Sequence, residues 1–157
     1  MIETTVSMNL MDALDNIRDA AVLWEQWAIE DGRDSVDSEA YVRDMVECVR
    51  GGQFCAVVAR DGDTPVGMVQ VLVFYDPATS TRAAHADKMF VAMDYRGEGV
   101  AHQLMHGCDV AARLMGATSA TLPCDESMVG FYEKYGWTRY QVMMKHGDEQ
   151  LVYGGNS

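Results

Sequence analysis

Apolar positions recur with a helical period in the N-terminal part of the chain and with strand-like density in its middle. Ile2 to Ser7 alternates weakly and predicts a short first strand. Asn9 suits a helix N-cap, with Asp12 three residues on. Leu10, Ala13, Leu14, Ile17, Ala20, Ala21, Trp24 and Ala28 then follow at helical spacing to about Glu30. Trp24 and Trp27 are three residues apart, which sends at least one to the core; lining a pocket is the alternative. After an acidic loop from Asp31 to Asp37, Ser38 can cap a second helix carrying Tyr41, Val42, Met45, Val46 and Val49, closed by Gly51 and Gly52.

Strands follow. Gln53 to Arg60 is rich in Phe, Cys and Val, Asp61-Gly62-Asp63 signals a hairpin, and Val66 to Tyr75 forms the next run. A loop from Asp76 to Thr81 leads to a fourth strand, Arg82 to Met93. Val100, Leu104, Cys108, Ala111 and Met115 make one helical stripe ending at Gly116, and Thr118 to Pro123 reads as a fifth strand. Ser127 can cap a short helix to Lys134 with Met128, Phe131 and Tyr135 on its apolar side. Trp137 to Lys145 is expected to be the last strand. These elements predict a single domain over 1–146 and a loose polar tail over 147–157, with no repeat and no long linker.

Composition narrows the class. The 157 residues are 48% apolar and 23% charged, the balance of a soluble globular protein. No apolar run approaches a membrane span, and the acidic, broken N-terminal stretch does not resemble a signal peptide, so a cytoplasmic location is expected. A net charge of −12 repels phosphate backbones, which argues against a nucleic-acid partner, and attracts cations such as amines. Cys48, Cys55, Cys108 and Cys124 show no metal-ligand spacing; Cys55 and Cys108 fall at apolar positions, as buried free thiols would. His102 and His106 share a helix face but have no acidic or thiol ligand evident beside them, and no metal is expected.

Candidate chemistry starts at Arg96-Gly97-Glu98-Gly99-Val100-Ala101-His102, between the fourth strand and the helix after it. Two glycines one residue apart let backbone N–H groups converge, and a helix starting there adds its unpaired N–H groups and the positive end of its dipole. That is a phosphate cradle. A second segment, Gly130-Phe131-Tyr132-Glu133-Lys134-Tyr135-Gly136-Trp137, stands downstream. In this order and spacing the two segments resemble the GNAT N-acetyltransferase superfamily, whose signatures are Arg/Gln-x-x-Gly-x-Gly/Ala after a strand and a later Tyr-Glu-x-x-Gly-Phe-like segment. The first matches at every defined position, and the second has Trp137 in place of Phe.

The resemblance implies an α/β (α+β) fold: a mixed central sheet of about six to seven strands, mostly antiparallel, with a parallel pair formed by the fourth and fifth, flanked by about four helices. It implies acetyl-CoA as acyl donor and a primary amine as acceptor. Its pantetheine arm would lie along Met89, Phe90 and Val91, and its pyrophosphate on the amides of Gly97, Glu98, Gly99, Val100, Ala101 and His102, with Arg96 at the start of the turn. Asp125 occupies a position commonly Asn in the family, where it can accept but not donate a hydrogen bond while ionised. A bulge in the fourth strand usually splays it from the fifth.

Family members often place an acidic residue on one face of the fourth strand. By the two-residue period His85, Asp87, Met89 and Val91 share a face, which makes Asp87 the first candidate base and His85 the second; a solvated charge or a salt bridge near a strand end is the plain alternative for Asp87. A backbone N–H around Val91 would meet the oxyanion. Tyr132 falls at the tyrosine that protonates the leaving thiolate, against the alternative of a core aromatic.

The acidic charge points to a small cationic acceptor such as a polyamine, an aminoglycoside-like amine or an amino-acid amine. A protein N-terminus or lysine is the other enzymatic reading. A non-catalytic acyl-CoA sensor would keep the cradle without working Asp87 or Tyr132. Many relatives dimerise, which admits a homodimer here. A dinucleotide-binding domain is disfavoured by the antiparallel strands before the glycine turn.

Overall fold

The structure is a computed structural model that describes residues 1–7, 9–142 and 144. It divides into two compact units, Met1–Leu122 and the residues from Pro123 onward.

The first unit holds a five-stranded sheet in the order β1 (Ile2–Thr5), β2 (Phe54–Asp61), β3 (Thr64–Asp76), β4 (Thr81–Val91) and β5 (Ala117–Thr121). The first three junctions are antiparallel and β4 pairs with β5 in parallel. Helices α1 (Leu10–Glu30) and α2 (Ser38–Arg50) cover one face; α3 (Val100–Leu114) covers the other. That is why β2 is apolar at every position from Phe54 to Ala59: Phe54, Ala56 and Val58 pack under α1 and α2, while Cys55, Val57 and Ala59 pack under α3. Each such Val or Phe contributes about 2 kcal/mol by leaving water. No helix among the described residues is long and apolar enough to cross a membrane.

Asn9 caps α1 as expected, its side chain accepting from Met11 N–H at 3.0 Å. Asp37, not Ser38, caps α2, accepting from Ala40 N–H at 3.0 Å. The β2–β3 turn is the two-residue Gly62–Asp63 connection, with Gly62 at φ +60°. Asn16, 3% exposed, joins three elements: it donates to Ala56 O (3.1 Å) and Thr5 O (3.3 Å) and accepts from Thr5 Oγ1 (2.9 Å) and Arg60 (2.9 Å).

The second unit contains α4 (Glu126–Glu133), ended by Gly136 at φ +86°. Arg139 reaches back to Glu126 with two parallel hydrogen bonds of 2.8 Å, which hold the Glu126 carboxyl below its ordinary range. The expected last strand is not formed over residues 137–142 and 144; Lys145 lies outside the described residues. Tyr140, Val142 and Met144 are 76%, 85% and 86% exposed, and with no ladder partner their alternation makes no strand. The described sheet therefore has five strands rather than six or seven. The tail from 147 also lies outside the described residues.

Candidate active site

The site is built on a defect in β4. Met68 pairs with Phe90 and Gln70 with Asp87, so two residues, Lys88 and Met89, stand opposite Val69. Lys88 takes the left-handed conformation, φ +57°, that inserts the extra residue. The insertion breaks the two-residue period. Asp87 lies across from Gln70, and His85 across from Leu72, on the face covered by α1 and α2. Beyond the bulge Phe90 joins that face, while Met89 and Val91 pack into the core beneath α3. The expected common face of His85, Asp87, Met89 and Val91 is thus corrected to His85, Asp87 and Phe90.

The β4–β5 ladder ends at His85 opposite Thr121. His85 Nδ1 lies 3.1 Å from Thr121 Oγ1 at that last rung. From Ala86 to Val91 the outer side of β4 has no strand partner among the described residues. The strand then enters a 3-10 turn, Met93–Tyr95.

Gly97 and Gly99 follow at φ +81° and +84°, and α3 begins at Val100. A Cβ at either glycine would meet nothing within 4 Å, so the space before the turn is open and backbone conformation is what demands glycine. The first helical bond runs from Gln103 N–H to Gly99 O at 3.2 Å, which leaves Val100 and Ala101 amides unused by the helix. No acidic residue occupies the first turn of α3, whereas α1, α2 and α4 each carry one there. Gly67 brings the turn close to β4: a Cβ there would lie 2.9 Å from Val100 Cγ1 and 3.3 Å from Phe90 O.

The Arg96 side chain turns away from the cradle. Its Nε donates to Val91 O at 2.9 Å, its Nη2 reaches Glu30 at 2.6 Å, and its guanidinium lies 5.7 Å from the Phe90 ring centre. It ties the last residue of α1 to the end of β4.

An aromatic cluster from α1 and α2 lies on the same side of the sheet as Asp87. Trp24 and Trp27 meet edge to face at 5.2 Å, and Trp24 and Tyr41 at 6.3 Å. Burial pushes the Tyr41 hydroxyl up to about 12, so it stays protonated and donates to Gln70 Oε1 at 2.9 Å. Lys88 Nζ lies 5.8 Å from the Trp27 ring centre, and Arg33, paired with Asp31 at 2.8 Å, lies 5.0 Å from it. A cavity of about 390 Å³ opens between the end of α1 and the end of β4, lined by Gln26, Ile29, Glu30, Phe90 and Met93 among others.

In the second unit Tyr132 is buried on α4, its ring 5.2 Å from Phe131 and 6.4 Å from Trp137. Asp125 is the N-cap residue of α4, and its side chain makes no capping bond.

A family model described as an acetyltransferase (GNAT) domain matches residues 52–139, from the start of β2 through the segment after α4. The chain belongs to the GNAT acetyltransferase family. Solved structures share the fold of this acetyltransferase. Glucosamine-6-phosphate N-acetyltransferase from Arabidopsis thaliana superposes with a TM-score of 0.74 at 17% identity, over 94% of this chain and 98% of that one. An acetyltransferase from Trypanosoma brucei gives 0.72 at 16% identity, over 94% and 99%. A predicted acetyltransferase from Clostridium acetobutylicum, solved with acetyl-CoA, gives 0.68 at 15% identity, over 94% and 96%. No curated protein sequence matches the chain.

Within the first unit the acetyltransferase brings His85, Asp87, Met89, Phe90, Val91 and Arg96 to His102 onto one continuous strand–turn–helix path. Tyr132 and Asp125 belong to the second unit. Sequence reasoning did not single out Lys88, Gln70, Tyr41 or Glu30. Gln70 carried a signal, as the lone polar residue of the run Val66 to Phe74 apart from its small Gly67.

Proposed function

We propose that this acetyltransferase uses acetyl-CoA to acetylate a primary amine of a small molecule. The observation that carries the reading is the outer side of β4, without a strand partner among the described residues from Ala86 to Val91 and continuous with the open turn of Gly97 and Gly99. The residues suit the donor. Backbone groups of Met89, Phe90 and Val91 would hold an extended arm, as an added strand does. The amides from Gly97 to His102, with no carboxylate in the first turn of α3, would hold its pyrophosphate. Acetyl-CoA supplies an acetyl group activated as a thioester. Arg96 serves as a strut rather than a phosphate ligand, and Asp125 accepts a hydrogen bond from the donor.

Asp87 removes the proton that holds the acceptor as an ammonium and passes it to water. His85, hydrogen-bonded to Thr121, is the second candidate for that transfer. A β4 amide near Val91 stabilises the charge developing on the acyl oxygen. As the N–C bond forms and the C–S bond breaks, Tyr132 gives its proton to sulfur and is restored by the second proton leaving nitrogen. The products are an amide, a free thiol and one proton in solvent.

The test is acetyl-CoA turnover across a panel of amines, read by thiol release and by the mass of the acetylated product. Asp87→Asn is expected to lower kcat about 100-fold with CoA affinity kept. CoA binding with no turnover on any amine or peptide would reduce the protein to a binding module.

A further inference from the structure

The β4 bulge does more than interrupt the sheet. Because Lys88 is the inserted residue, Asp87 and Lys88 both serve the α1–α2 side in succession, where an unbroken strand would send one to each face. Asp87 lies across from Gln70, which Tyr41 holds from α2, and Lys88 places its ammonium over Trp27 of α1. A carboxylate and an ammonium therefore stand side by side at the point where β4 leaves β5.

Charge balance gives Lys88 its meaning. Arg33, Arg43, Arg50, Arg60, Arg96, Arg113 and Arg139 are all paired with carboxylates. Lys88 has no carboxylate within ion-pair distance among the described residues, in a chain of net charge −12; Arg18, Arg82 and Lys134 likewise have none, and of these four Lys88 alone stands at the β4 bulge. Its left-handed backbone costs about 1 kcal/mol or more, and such strain gathers at functional sites. Trp27 already has Arg33 and Lys88 against its ring, so it makes a poor cage for an acceptor's own cation.

We infer that the acceptor is a zwitterionic amine, in which the reacting amine is close to a carboxylate or phosphate: Asp87 faces the amine and Lys88 the anionic group. This rests on the acetyl-transfer reading above and selects among the amines that reading admits. Polyamines, with a cation in place of the anion, would meet Lys88 with like charge.

Matched acceptors test it with acetyl-CoA and the full chain. One arm pairs the proteinogenic amino acids with their carboxamides, a second pairs ethanolamine phosphate with ethanolamine, and a third uses spermidine. The expected result is a kcat/KM at least about tenfold higher for the anionic member of one pair. The two pairs tell carboxylate from phosphate. Lys88→Met keeps the apolar stem over Trp27 and is expected to collapse that ratio toward one, and Lys88→Arg to restore most of it. Transfer favouring carboxamides, ethanolamine or spermidine overturns the inference and leaves acetyl transfer standing, as does an unchanged ratio in Lys88→Met. Absence of transfer to every amine overturns both. A normal rate in Asp87→Asn with an intact Lys88 effect removes Asp87 as base and, with it, the paired-charge account of the acceptor.

Discussion

Single residues divide into those required by backbone shape and those required by chemistry. Gly62 and Gly99 both have positive φ, and a Cβ at either meets nothing within 4 Å. Replacing either by Val is expected to cost about 1–2 kcal/mol in stability, measured by denaturant unfolding. Only Gly99→Val should also weaken CoA binding, by tenfold or more in calorimetry, because its amide lies in the turn assigned to the pyrophosphate. Equal CoA affinity in the two variants would remove that turn from the donor site. Tyr132→Phe should lower kcat more than it weakens CoA binding; an unchanged kcat would show that its hydroxyl is not the acid.

The elements were mostly legible because their patterns are local. Helical spacing located α1 and α3, and the continuous apolar run of β2 followed from helices on both faces of the sheet. Three features were not legible. The run from Trp137 resembles a strand, but a strand exists only through its partner, and Arg139 is tied back to Glu126 instead. The bulge in β4 was expected from the family resemblance, but its position was hidden. His85, Asp87, Met89 and Val91 satisfy a two-residue period on paper, and only pairing with β3 shows that Lys88 is an extra residue. The glycine turn and the start of α3 were legible because glycine spacing and a helix start are sequence-local. The grouping of Trp27, Tyr41, Gln70 and Lys88 was not, since they come from four elements. At this scale the junction of β1, α1 and β2 rests on Asn16. Asn16→Leu leaves Thr5 O, Ala56 O and the Arg60 guanidinium short of partners, and is expected to cost about 2–3 kcal/mol, read from the urea midpoint.

The whole molecule should be sensitive to alkali. Burial pushes Cys55 from 9.0 up to about 11, Cys108 from 9.0 to about 12, and Tyr41 from 10.0 to about 12. All three stay protonated in the folded chain while the unfolded chain ionises them. Above about pH 9 the unfolded state therefore binds fewer protons, and stability falls as pH rises through the folded values near 11 and 12. A urea midpoint that holds level from pH 8 to pH 11 would contradict this. For the same reason Cys55 and Cys108 should resist alkylation at pH 8 in the native protein, whereas exposed Cys124 reacts.

An unpartnered strand edge is also a template on which another chain can pair and start an aggregate. Among the described residues, the outer side of β4 is such an unpaired edge from Ala86 to Val91. Its bulge kinks the hydrogen-bonding row after two residues, and the residue at the kink carries a charge, so a foreign strand cannot stay in register across it. The irregularity that sets Asp87 beside Lys88 is thus expected also to oppose edge-to-edge pairing when no ligand lies along that edge. Lys88→Asn, which tolerates the positive φ of the kink but loses the charge, should show more light scattering on concentration, and added CoA should suppress it.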